Sequence, residues 1–144
     1  MGGRCQKCFE ELILKFPKFE LVQEARYGLG YALQNQDKLD EAKAIYEQVT
    51  KATNTETAAK SRFMIGECAF KQKKHQQAIE HFLEAALAYP YEEYQALGYF
   101  EAGRCFIALD DKPKALDALR TVVKKFPKHP QAKNAAKLIA DLSK

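Results

Sequence analysis

Four cysteines and three histidines are the residues of this chain best suited to do chemistry. Cys5-x-x-Cys8 has the spacing of half a zinc site or of a redox pair. A structural zinc needs four ligands, usually as two close pairs. The remaining cysteines, Cys68 and Cys105, stand alone, each two residues after a glycine. That place on a helix takes small core residues, so both read as small buried hydrophobes. They are expected to lie a helix-pair spacing apart, beyond the roughly 7 Å Cα separation a disulfide can bridge. A Cys5–Cys8 disulfide would close a trivial loop within one helix. His75 and His81 are six residues apart, which is not one helical face. No Ser, Cys or carboxylate arrangement completes a nucleophilic triad with them. Gly28-x-Gly30 lacks the third glycine of a dinucleotide loop, because position 33 is Leu. Neither enzymatic activity nor a cofactor or metal is therefore expected. Four cysteines without a framework fit a reducing compartment.

The elements that would position any such residues announce themselves by repetition. Arg26-x-x-Leu29-Gly30-x-x-Leu33 is followed by Ala42-x-x-x-Tyr46. Arg62-x-x-Ile65-Gly66-x-x-Ala69 is followed by Ala78-x-x-x-Phe82 and Pro90. Tyr99-x-x-Ala102-Gly103-x-x-Phe106 is followed by Ala115-x-x-x-Leu119 and Pro127. The glycine-to-alanine interval is 12 in every copy, and the period is 36 and then 37 residues. A fixed period in this range marks stacked helical repeats, in which each helix pair buries its apolar face on the next. Each glycine costs about 1 kcal/mol of helix stability against alanine. A repeated cost has a repeated reason, here the close approach of the paired helix, with Ala42, Ala78 and Ala115 as the small residues on the other side.

Apolar steps of three and four residues predict helices over about 20–35, 57–72, 75–89, 92–109, 112–126 and 131–142. A further helix carries Leu39, Ala42, Ile45, Tyr46 and Val49, and Asp37 is expected to cap its N-terminus. Thr53-Asn54-Thr55 breaks the pattern before the next helix. Pro90 and Pro127 end helices, whereas Pro113 fits a first turn. The last helix is expected to bury Ala132, Ala135, Ala136, Ile139 and Leu142. Counting back from Pro17 makes residues 4–16 the second helix of a repeat whose first helix is missing. The expectation is thus a half repeat at 4–18, repeats at 19–54, 55–90 and 91–127, and a capping helix at 129–144. A chain so divided reads as part of a longer solenoid, with self-association at the N-terminal end where Phe9, Leu12 and Ile13 lose their cover.

These residues resemble the tetratricopeptide repeat, whose pattern is large-x-x-Leu-Gly-x-x-Tyr, Ala-x-x-x-Phe, Pro. The resemblance covers nearly the whole chain. It implies an all-α, right-handed superhelical α-solenoid of antiparallel helix pairs, about three repeats with half repeats at both ends. It implies a protein–protein interaction scaffold that binds a peptide or helical segment in its concave groove. The other reading is a purely structural or oligomerising segment of a longer repeat protein. In this family the first helix of each pair lines the groove. Carried over by position, the partner-binding residues are Tyr27, Phe63 and Phe100, three before each glycine. Tyr31, Glu67 and Arg104 follow one after it, and Gln34, Phe70 and Ile107 four after it. Members that clamp C-terminal carboxylates of chaperones place Lys, Asn and Arg where this chain has Glu24, Gly28, Lys60, Met64, Leu97 and Glu101, so that clamp is not expected. Phe126-Pro127-Lys128-His129-Pro130, echoed by Phe16-Pro17-Lys18, resembles bacterial cell-envelope members such as the outer-membrane assembly lipoprotein and the Tol–Pal coordinator.

Charge is divided unevenly. Residues 1–111 hold 14 Lys/Arg against 17 Asp/Glu, and residues 112–144 hold 9 against 2. Nucleic acid is not the expected partner, and a membrane would be met only through this basic end. No apolar run approaches the ~20 residues of a membrane span, and no secretory signal is visible at the N-terminus. The compartment, cytoplasmic or bacterial periplasmic, stays open.

Overall fold

The computed structural model describes residues 2–15 and 21–144. Among the described residues eight helices follow in order: α1 (Gly2–Lys15), α2 (Leu21–Asn35), α3 (Leu39–Ala52), α4 (Glu56–Lys71), α5 (His75–Leu87), α6 (Glu92–Ala108), α7 (Lys112–Lys125) and α8 (Gln131–Leu142). No strand occurs among the described residues. Pro17, which closes the N-terminal half repeat in the sequence reading, lies outside the described residues. So do Phe16 and Lys18.

The corner inside each helix pair is built identically. After α2, Asp37 turns left-handed at φ 62°; Lys73 and Asp110 do the same after α4 and α6, at φ 61° and 59°. At each corner the next residue sends its backbone N–H back to the first carbonyl of the last turn. These bonds are Lys38 to Leu33 at 2.9 Å, Lys74 to Ala69 at 2.9 Å and Asp111 to Phe106 at 2.8 Å. The left-handed residue itself donates to Gln34, Phe70 and Ile107 respectively. This is a Schellman closure, which satisfies the otherwise orphaned end carbonyls. The sequence reading of Asp37 as an N-cap is therefore corrected: it ends α2, and Lys38 starts α3 without a side-chain cap. Lys38, Lys74 and Asp111 also accept at their carbonyls from Ala42, Ala78 and Ala115. One residue closes one helix and opens the next, which fixes the interval of 12. Asp111 adds a side-chain cap, accepting from the Lys114 N–H at 3.3 Å, with Pro113 beside it in the first turn.

The glycines are where the pairs meet. A Cβ on Gly30 would lie 2.6 Å from the Tyr46 ring, one on Gly66 2.7 Å from the Phe82 ring, and one on Gly103 2.8 Å from Leu119. The large residue of Ala-x-x-x-large thus seats on the bare backbone, and all three of these side chains are fully buried. Burying each contributes roughly 1.5–3 kcal/mol. Ala42, Ala78 and Ala115 are fully buried as well. Gly28 performs the same service toward α1, where an added Cβ would run into the Phe9 ring. Ala136 departs from expectation: it is exposed, and Ala132 and Ala135 are the buried alanines of α8.

The helices form two unequal layers. α2, α4, α6 and α8 touch in succession, whereas the outer helices α1, α3, α5 and α7 touch only α2, α4, α6 and α8. The first helices therefore make a continuous inner wall. Among the described residues no helix is long and apolar enough to cross a membrane.

Candidate functional site

On the inner wall the residues three before each glycine begin as one series and end differently. Tyr27 on α2 is half-buried. It stacks on Tyr31 at 6.3 Å between centroids and 13° between planes, and meets the Tyr46 ring at 5.6 Å. The Lys60 ammonium, from α4, lies 4.3 Å from the centre of its ring. Burial, then the neighbouring Tyr94, Tyr31 and Glu67, push the Tyr27 hydroxyl up to about 12. Phe63 and Phe100 are 7% and 6% exposed. Phe63 is wedged between Phe82 at 5.2 Å and Tyr94 of the following repeat at 6.3 Å. Phe100 belongs to the C-terminal core with Leu119, Val122 and Ala135. These two rings hold repeats together before anything else.

The series four after the glycine is likewise mixed. Gln34 is only 5% exposed and its amide oxygen accepts from the Tyr46 hydroxyl at 2.8 Å, so it serves the wall from within. Phe70 is half-open, with His75 set edge-on at 5.2 Å and the Arg104 guanidinium 5.2 Å above its ring. Ile107 is half-buried against the C-terminal core.

The series one after the glycine is the open one. Tyr31 is 47% exposed, a large ring left facing outward. Arg104 is half-exposed and anchored, with Nη1 donating to both carboxylate oxygens of Glu101 at 2.9 and 3.1 Å. Glu101 is 8% exposed. Burial raises its carboxyl above the usual range and Arg104 opposes that shift. Glu67 is half-buried and forms no ion pair within 4.0 Å among the described residues. Burial first, then the Glu101 charge, holds its carboxyl above the ordinary range, with Lys71 and Arg104 pulling the other way.

Sequence reasoning missed Lys60, Glu101 and Tyr94. In the sequence the first two stand out only as clamp positions. Their roles depend on partners one repeat or one turn away, which a position-by-position comparison does not pair. Cys68 and Cys105 are fully buried free thiols, as expected of small core residues, and Cys8 is an exposed one. The described residues hold no group of three or more His, Cys, Asp or Glu arranged for a metal ion. His81 instead packs its Nδ1 3.2 Å from the Arg62 guanidinium, and His129 bridges Glu93 at 3.0 Å.

Two family models, each described as a tetratricopeptide repeat, match residues 27–93 and 98–129. Solved structures share the fold. PcrH from Pseudomonas aeruginosa is similar over 88% of this chain and 95% of its own, with 19% identity and a TM-score of 0.76. PcrH in complex with the chaperone binding region of PopB is similar over 86% of this chain and 96% of its own, with 19% identity and a TM-score of 0.70. A tetratricopeptide repeat protein from Parabacteroides merdae is 14% identical with a TM-score of 0.76, over 96% of this chain and 52% of that one. Among curated proteins, none is similar enough in sequence to count as a relative.

Proposed function

This chain belongs to the tetratricopeptide repeat family, and on that premise we propose that it is a protein–protein interaction scaffold holding an extended or helical partner segment against its inner wall. The observation that carries the reading is the open strip of Tyr31, Glu67, Phe70 and Arg104 on α2, α4 and α6, one element of the wall after another. Exposed aromatic rings flanked by anchored charges are where binding energy concentrates at interfaces. Helix backbones are already hydrogen-bonded, so a segment here is gripped by side chains rather than by strand pairing. A protein of the same fold, PcrH, has been crystallised with the chaperone binding region of PopB, which supports the class of function. The finer kinship with cell-envelope members rests on the Phe-Pro-Lys motifs and the repeat period of 36 to 37 residues.

The second reading, a structural segment of a longer solenoid, is favoured by the burial of Phe63 and Phe100. A displayed library of random peptides, panned on the whole chain, separates the two. Binders weakened about tenfold or more by Tyr31→Ala, at unchanged melting temperature, support the groove. Binders indifferent to Tyr31→Ala and Phe70→Ala leave the structural reading standing. Phe63→Ala is the contrasting variant: it should lower the melting temperature first.

A further inference from the structure

The groove reading leaves open what chemistry the bound segment brings, and the charges of the wall answer it. Two of its cations are already engaged. Lys60 caps the Tyr27 ring at 4.3 Å, and Arg104 is forked on Glu101 at 2.9 Å while covering Phe70. An incoming carboxylate would have to draw Arg104 away and leave the 8%-exposed Glu101 carboxylate without its counter-ion, an exchange that loses more than it gains. Glu67 is in the opposite condition. It sits at the middle of the wall, partly desolvated, with Lys71 on its own helix outside 4.0 Å and Arg104 committed elsewhere. It occupies on α4 the place that Tyr31 occupies on α2, and its charge reaches the hydroxyls of Tyr27 and Tyr46. A cation arriving there breaks no existing bond, and the exposed Tyr31 ring on the neighbouring wall helix offers an aromatic surface, which favours positive charge.

We infer that Glu67, with the open ring of Tyr31 on the neighbouring helix, is the seat for a lysine or arginine side chain of the bound segment. Half-open Phe70 and half-buried Leu97, packed against one core cluster, take the apolar residues that flank this cation. The inference rests on the groove reading and names its partner as a basic, partly apolar segment.

The test uses peptides selected from the random library on the intact chain. Selected peptides should share a Lys or Arg at a fixed place. Replacing it by norleucine should weaken binding about tenfold, as should Glu67→Gln, and the two changes together should cost no more than either alone. Glu67→Lys should turn selection toward Asp- and Glu-containing peptides. Melts of both variants confirm that the array is folded. Peptides that need Tyr31 but carry no basic residue, or that bind Glu67→Gln as tightly as the unaltered chain, overturn the cation seat and leave the groove intact. Binders indifferent to Tyr31→Ala and Phe70→Ala overturn the groove, and the seat with it.

Discussion

Replacing Gly66 by alanine adds one carbon and two hydrogens at the point where α4 and α5 meet. The new Cβ would stand 2.7 Å from Cδ1 and Cε1 of Phe82 and 3.1 Å from its Cγ. Carbon atoms rest about 3.5–4.0 Å apart, so the ring must retreat by roughly 1 Å. It has nowhere soft to go: Phe82 is fully buried, with Phe63 behind it at 5.2 Å. Overpacking of this kind costs about 1–3 kcal/mol. Alanine returns about 1 kcal/mol of helix propensity, so the net loss is about 0–2 kcal/mol. At roughly 3 °C per kcal/mol for a chain of this length, that is a fall of up to about 6 °C. The sign is secured in a second background. With Phe82→Ala already made, the clash is gone and Gly66→Ala should stabilise by about 1 kcal/mol. Urea unfolding followed by circular dichroism gives both differences, and their coupling should be about 1–3 kcal/mol. If Gly66→Ala stabilises the unaltered chain as it does the Phe82→Ala one, the glycine is not there for packing and the register assigned to the repeats is wrong.

Two other outcomes follow from buried groups. Burial lifts the Cys68 and Cys105 thiols to about 11 and about 12, so an aromatic disulfide reagent should label exposed Cys8 at once and these two only on unfolding, as peptide mapping would show. Burial and the Arg62 guanidinium hold the His81 imidazole below its usual range, against Glu47, Glu80 and Glu84; the unfolded chain takes up that proton near pH 6.5, so stability is full above that pH and falls as pH drops toward the folded value. His81→Leu should flatten this part of a melting-temperature profile, and an unchanged profile would show that the Arg62 contact does not govern it.

The fold was readable because its determinants are local and recur. Gly30, Gly66 and Gly103 mark every pair, and helix ends predicted from Pro113, Thr55 and the apolar steps fall within a few residues of those observed. What sequence could not supply is which surface of a conserved-looking place faces out. Tyr27, Phe63 and Phe100 share a position, yet half-buried Tyr27 is met by the Lys60 ammonium of α4 while Tyr94 and Ala135 close over the other two. Gln34 and Asp37 depend on neighbours of the same kind. One is occupied by the Tyr46 hydroxyl and the other is turned left-handed by the Schellman closure. Both are decided by atoms a helix or a corner away.

Two aspartates and a lysine, Asp37, Asp110 and Lys73, take the same backbone angle within 3°. Left-handed backbone is strained for a side chain such as that of Lys73, and glycine or asparagine relieves it. The corners at Asp37 and Asp110 bond to no residue of the open strip, whereas Lys73 donates its N–H to the Phe70 carbonyl. The first two are thus adjustment points for robustness that leave recognition alone. An engineer can harden the array at those two corners and retune its inner wall as two independent operations, and mutational drift has the same freedom.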